Sequence, residues 1–328
     1  MRLRNLCLAL SITACLHPST SRAQSAKPAI TLDEFLNTTD VTAARIAPDG
    51  SAAVISTTTP DWKAGSFRHD LWLWNAASGL RPLTHSGSEE NPQWSPDGKW
   101  IAFISDRALS GEKAAEDGKP DSDSAKASRL WIISVAGGEA LPLYTQKLDV
   151  HSFAWSIDGA AIFYSVTTPL THEQEETQKQ EWKDVIRWRE QHRGDLLLKQ
   201  PVAPALAGAL AIPPPEKAAA SKEEKENQPV IPTGAETVTT STLSIGEITP
   251  SPDGKSVAFV TGPVHHRMEG PKNYEVFLVP STGGEARQIT HNEAVESGLL
   301  WSPDSRWLHF MVQAAAGSKL CRGSAHRQ

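Results

Sequence analysis

A hydrolytic serine is usually presented in a G-x-S-x-G turn, a sharp strand–turn–helix that exposes the hydroxyl and aims backbone N–H groups at an oxyanion. No serine in these 328 residues has a glycine both two before it and two after it. Ser66 follows Gly65 and Ser88 follows Gly87, each without the second glycine. His151, His265, His266 and His291 fall on loops or strand ends, and no serine or cysteine is paired with them by spacing. His265-His266 is the nearest thing to a metal pair, but adjacent side chains on a strand point to opposite faces, so a solvated pair is the better reading. Two of the three cysteines, Cys7 and Cys15, lie in the leader, and Cys321 alone builds neither a disulfide framework nor a metal site. The sequence therefore predicts no catalytic residue, no metal and no cofactor.

What the chain repeats is a turn. IAPDGSAAVIST (46–57), WSPDGKWIAFIS (94–105), WSIDGAAIFYSV (155–166), PSPDGKSVAFVT (250–261) and WSPDSRWLHFMV (301–312) are five copies of one pattern. Proline pre-sets φ, the aspartate (Asp49, Asp97, Asp158, Asp253, Asp304) caps the turn, and glycine takes the left-handed conformation. The turns span 48–50, 96–98, 157–159, 252–254 and 303–305. Apolar residues rich in Ile, Val and Phe follow each turn and read as a strand buried on both faces. A third apolar strand comes next, as in Leu71-Trp72-Leu73-Trp74, Leu130-Trp131-Ile132-Ile133 and Val276-Phe277-Leu278-Val279. It leads through Gly79, Gly137-Gly138 or Gly283-Gly284 into a short, wetter strand. Four strands per unit, with turn aspartates 48, 61, 95 and 51 residues apart, describe stacked propeller blades. The predicted fold is all-β: a partial, open or incomplete β-propeller of four-stranded antiparallel blades over 24–313, with one inserted helix. The repeat is not the Asp box of sialidases, because Asp97 and Gly98 are adjacent.

The remaining segments set the context. Arg2, Arg4, the apolar run Leu6–Leu16 and Ser21-Arg22-Ala23 have the pattern of a secretory signal peptide, residues 1–23. Ile12-Thr13-Ala14-Cys15 offers a rival reading, a lipoprotein box that would leave a lipidated Cys15 as membrane anchor. Either way an exported, periplasmic or extracellular protein is expected. Removing residues 1–23 takes three arginines and no acid, moving the net charge from −6 to −9. That balance disfavours nucleic acid and anionic lipid. Residues 106–128 read as a solvated loop insertion and 200–236 as a flexible linker. Residues 171–193 read as a helix insertion: Thr171 and Gln174 form a capping box, with Glu173, Glu175 and Glu176 at the positive end. Ile157 replaces a turn proline, Pro250 a tryptophan and Ser305 a turn glycine, the last at a cost of about 1 kcal/mol where φ is positive.

Taken together, the repeats resemble the Pro-Asp-Gly-type propeller repeats of the prolyl oligopeptidase, dipeptidyl peptidase and acylaminoacyl peptidase family, shared with Tol-system periplasmic propellers. TLDEF, DLWLW, GGEARQIT and EWKDVIRWREQHRGD favour the exported peptidases. The resemblance covers about residues 30–313 and implies a propeller that precedes an α/β-hydrolase domain, which this sequence does not contain. It also implies a role for Glu175 and Glu176, since dipeptidyl peptidases hold a substrate amine with a glutamate pair on an inserted helix. The flanking residues here do not match that motif. After Met311-Val312 the pattern stops, so 314–328 is expected to be an unstructured tail and the fifth blade half written. A truncated propeller with unpaired edges and one uncovered blade face would self-associate or need a partner. Two functions follow: the non-catalytic, peptide-gating or peptide-binding portion of a serine peptidase, or a stand-alone Tol-like module that binds a protein partner.

Overall fold

The computed structural model describes residues 30–109, 128–177, 180, 193–210, 231–263, 273–292, 294–314 and 321–326. The chain divides into two units, Met1–Thr38 and Thr39–Gln328. In the first, Thr31 caps the short helix α1 (Leu32–Leu36): Thr31 Oγ1 accepts the Glu34 N–H at 3.2 Å, and Glu34 Oε2 accepts the Thr31 N–H at 2.8 Å.

The second unit is a series of antiparallel sheets in which each strand pairs with the next in sequence. The first blade is β1 (Asp40–Ile46), β2 (Ala52–Asp61), β3 (Ser66–Asn75) and β4 (Gly79–Pro82). The second is β5 (Glu90–Trp94), β6 (Trp100–Ser105), β7 (Arg129–Ser134) and β8 (Leu141–Pro142). The third is β9 (Val150–Trp155), β10 (Ala161–Thr167), β11 (Asp195–Pro201) and β12 (Glu236–Thr240), with helices α2 (His172–Thr177) and α3 (Val202–Leu210) in its connections. The fourth is β13 (Ser244–Pro250), β14 (Ser256–Gly262), β15 (Val276–Pro280) and β16 (Arg287–Gln288). The fifth is β17 (Ala294–Trp301), β18 (Trp307–Ala314) and β19 (Cys321–His326). This is an open propeller, all-β and built largely of four-stranded blades.

The repeated turn joins the first two strands of every blade. In the second blade Asp97 Oδ1 accepts the Ser95 hydroxyl at 2.6 Å and the Lys99 N–H at 3.1 Å. Ser95 Oγ in turn accepts the Trp100 N–H at 3.0 Å. The same double use of serine and aspartate recurs at Ser156/Asp158, Ser251/Asp253 and Ser302/Asp304. In the first blade Ala47 stands in the serine column, and Asp49 accepts from Ser51 instead. Gly98 sits at φ 68°, and a β-carbon on it would stand 3.7 Å from Pro48 Cδ of the preceding turn, as one on Gly159 would stand 3.5 Å from Pro96 Cδ, so these turns stack one on the next.

The tryptophan column stitches blades together. Trp94 Nε1 donates to Arg45 O at 2.8 Å, Trp155 Nε1 to Gln93 O at 3.4 Å and Trp301 Nε1 to Thr249 O at 3.0 Å. Each bond crosses from one blade to the first strand of the blade before it, so the column serves orientation as well as burial. Between the sheets the core is apolar. Val54, Leu71 and Leu73 meet Ile101, Phe103, Trp131 and Ile133, and three further clusters of this kind fill the later junctions.

Three expectations need correction, and a fourth is refined. The segment read as a linker, 200–236, holds α3, whose Val202 is buried and whose Ala205 and Leu206 pack against the cluster between the second and third blades. Pro204 is tolerated because it lies in the first helical turn, where no intrahelical N–H bond is needed. The fold thus has a second inserted helix besides α2. The segment read as an unstructured tail, 314–328, contains β19, which pairs with β18 from Trp307↔His326 to Val312↔Cys321 and satisfies part of that strand's exposed edge. Finally, Ser305 does take φ 58°, but its hydroxyl accepts the Asp253 N–H at 2.9 Å, so the lost glycine is replaced by a bond between neighbouring turns.

Candidate functional site

The connections between the second and third strands of the blades all leave from one end of the sheets. Residues 106–128 lie between β6 and β7, 168–194 between β10 and β11, and 263–275 between β14 and β15. At this end the blades bury charge: Glu89, Arg129, Asp195 and Glu296 are each 1% exposed. The opposite end carries the exposed turn aspartates. A buried charge persists only when it is paired or hydrogen-bonded, so these residues mark where the fold spends polar contacts.

The densest cluster joins the third and fourth blades. His151, on β9, places Nδ1 3.0 Å from Asp195 Oδ2 and Nε2 3.2 Å from Asp149 Oδ2. Ser244 Oγ lies 2.9 Å from Nδ1 and Thr167 Oγ1 2.9 Å from Nε2. Asp195 also accepts the Ile245 N–H at 2.7 Å, and the Ser244 hydroxyl at 3.2 Å, across the blade junction. Burial by itself lowers the His151 pKa, but the hydrogen bonds and charges of Asp149 and Asp195 outweigh it and raise the group to about 9. The imidazole is therefore cationic at neutral pH. Serine, histidine and aspartate meet here, but a protonated ring held on both nitrogens has no lone pair with which to take a serine proton. The cluster is a charged clasp, not a catalytic triad.

The clasp anchors the helix-bearing insertion. Thr168 N–H donates to Gly194 O at 2.9 Å, Arg193 Nη1 to Thr168 O at 3.1 Å, and Ser241 N–H to Asp195 O at 2.8 Å. A β-carbon on Gly194 would stand 1.8 Å from Ser241 O, so glycine is required by the close approach of β12's exit to the insertion's root. Beyond Thr168 the capping box is present: Thr171 N–H donates to Gln174 Oε1 at 3.0 Å, and Gln174 N–H to Thr171 Oγ1 at 3.2 Å. Glu175 and Glu176 lie on α2, with Glu176 exposed.

Two further buried nodes occupy the same end. Between the fourth and fifth blades, Glu275 accepts the Thr290 hydroxyl at 2.5 Å and the Asn292 N–H at 3.0 Å, while Asn292 Nδ2 donates to Glu296 Oε1 at 2.5 Å. Burial, and then the charge of Glu275, raises the Glu296 pKa. Between the first and second blades, Glu89 accepts from Ser86, and Ser88 Oγ lies 2.7 Å from Ser105 Oγ. Ser88 is thus one of a hydroxyl pair. Arg107, at the root of the 106–128 insertion, lies 4.1 Å over the Trp131 ring. His291 is exposed in the connection to the fifth blade, and His265 and His266 lie outside the described residues.

Among the described residues there is no group of three or more His, Cys, Asp or Glu side chains that could hold a metal ion. No helix among them is long and apolar enough to cross a membrane. The clasp was missed by sequence reasoning because Ser244 lies 93 residues from His151 and Asp195 joins them only through strand pairing. The one local sign was a polar Asp149 and His151 alternating with apolar neighbours at a strand start.

The geometry defines a β-propeller whose second-to-third-strand connections leave from one end, while α3 leaves from the other, beside the 157–159 turn. Its fold is also that of an oligogalacturonate lyase from Vibrio parahaemolyticus, at a TM-score of 0.52 and 13% identity, covering 86% of this chain and 61% of that one. A puromycin-hydrolyzing peptidase of Mycobacterium tuberculosis aligns over 89% of this chain and 39% of its own, at a TM-score of 0.51 and 12% identity. No protein-family model matches the chain. In sequence it is 32% identical over 143 residues to the uncharacterized peptidase YuxL of Bacillus subtilis, 43% of this chain but only 19% of the length of that relative. The solved structures share the propeller fold, and the sequence likeness is to part of a peptidase.

Proposed function

We propose that this chain is the non-catalytic propeller portion of an exported serine peptidase, and that it gates or binds short peptides at the end that carries the 168–194 insertion. The observation that supports this most directly is the rigid root of the 168–194 insertion: the Asp149–His151–Asp195 clasp and Gly194 hold it, and α2 extends from it. A fixed root lets a short helix present acids at a defined place, as a binding site requires. On this reading Glu175 and Glu176 receive the protonated amine of a peptide. Their alternative use, complementing the helix N-terminus, needs no ligand. Calorimetry with a short peptide and its N-acetylated form separates the two. The free amine should bind about tenfold tighter, as one charge-assisted hydrogen bond warrants. Glu175→Gln/Glu176→Gln should erase that difference. Equal binding of both peptides to the parent chain would return the two glutamates to a purely structural role.

A second reading, a stand-alone exported module that holds a protein partner, draws on a cleft of about 530 Å³ at the rim of the third and fourth blades. It is lined by Val238, Thr240, Leu243, Phe277 and Glu285. Peptide binding lost on Thr240→Arg but kept in the double glutamate variant would favour this cleft. Export itself, by cleavage after Ala23 or lipidation at Cys15, is tested by the mass of the mature N-terminus.

A further inference from the structure

We propose that the outer faces of the first and fifth blades are the two halves of one interface, through which a second copy of this chain docks head to tail. The junctions already inside the chain show which side of a blade meets which. In β7, Trp131 and Ile133 pack back on the first blade, while Leu130 and Ile132 pack forward on the third. In β6, Ile101 and Phe103 face back, while Ala102 and Ile104 face forward, joined by the partly buried Trp100.

The outermost blades follow the same register. In β3 the residues matching Trp131 and Ile133 are Trp72 and Trp74, and they face away from the second blade, on the side where the described residues place no sheet. Trp74 is 43% exposed, and on the same blade Ile46 and Leu80 are 73% and 55% exposed. In β18, Leu308 and Phe310 pack back on the fourth blade, as Ile101 and Phe103 do on the first. Trp307 and Met311, which match Trp100 and Ile104, are 41% and 49% exposed, and Leu300 beside them is 67% exposed. Among the described residues, the first blade thus shows an exposed backward face and the fifth an exposed forward face. Every junction within the chain is a forward face on a backward face, so the two free surfaces continue an interface the molecule already uses several times.

Six large apolar side chains spread over two sheet faces are more than scattered surface hydrophobics. A forward face on a backward face is a heterologous contact, which adds copies in one direction instead of closing a two-fold dimer. This inference is independent of peptide binding, and either can fail alone.

Sedimentation velocity of the purified chain over a wide range of concentration tests it. The average mass should rise with concentration in the parent chain. Trp74→Glu and Met311→Glu, each alone, should remain monomeric. Mixed in equal amounts they should form a dimer and nothing larger, because each variant keeps one intact face. Leu80→Glu and Leu300→Glu form a second pair that must behave alike, guarding against misfolding of the first. A parent chain that stays monomeric throughout overturns the proposal. So does a mixture that stays monomeric, or single variants that associate as the parent does.

Discussion

The inner blades and the outermost blades are written with the same repeat, yet they are buried differently. In the second, third and fourth blades the strand after the turn is covered on both sides: Ile101 to Ser105, Ala161 to Val166 and Ser256 to Thr261 are buried without a break. In the fifth blade the corresponding strand alternates, with Leu308 and Phe310 buried and Trp307, His309 and Met311 exposed. In the first blade the strand after the turn is only half covered, with Ala52 and Val54 buried and Ala53 and Ile55 half-buried, and the next strand, β3, has Leu71 and Leu73 buried and Trp74 exposed. An apolar strand composition therefore records that a strand is suited to two neighbours. Whether it has them depends on its place in the stack.

That contrast can be broken most strongly in the cores. Phe259→Ala, at 1% exposure in the fourth blade, should cost about 3–5 kcal/mol in urea unfolding, while Leu300→Ala, measured at a concentration at which the chain is monomeric, should cost about 0.5 kcal/mol or less. Similar losses at the two positions in the monomer would mean that the chain covers the fifth blade's forward face by itself.

The clasp offers a smaller and pH-dependent test. The His151 pKa is raised on folding from 6.5 to about 9, so its stabilisation is whole below about pH 6.5, declines above it and is gone beyond about pH 9. His151→Gln should destabilise the chain by about 3 kcal/mol at pH 6, and the gap from the parent should close as the pH approaches 10. A gap that does not change with pH would show that His151 acts by packing alone.

The smallest effect is expected at Ser305→Gly. Relief of positive φ and loss of the bond to the Asp253 N–H oppose each other, so the change should stay within about 1 kcal/mol of zero in the same unfolding measurement. A gain well beyond that would mean that the bond between the turns contributes little.

Much of the fold could be read directly from the residues. The turn at 96–98 carries its own proline, aspartate and glycine, and the strand that follows is apolar enough to require burial. The capping box of α2 was legible for the same reason: Thr171 and Gln174 are three residues apart, and each satisfies the other's backbone. The serine column was overlooked although it was in plain view, because its hydroxyl works as both donor and acceptor and the second bond reaches five residues on, from Ser95 to Trp100. Pro204 and Gly208 hid α3, since residues that break a helix interior are tolerated near its ends. Of the buried clasp nothing could be named in advance; Glu175 and Glu176 were legible as acids on a capped helix, and their part in binding is a proposal.

By itself the sequence determined the hairpin turns, the strands between them and the number of times the unit recurs, because each depends on hydrogen bonds and backbone preferences within about a dozen residues. Tertiary structure decided the charge on His151, the need for Gly194 and the bareness of Trp74 and Met311. Those properties are set by what stands within a few ångströms, and here the neighbours come from strands many tens of residues away.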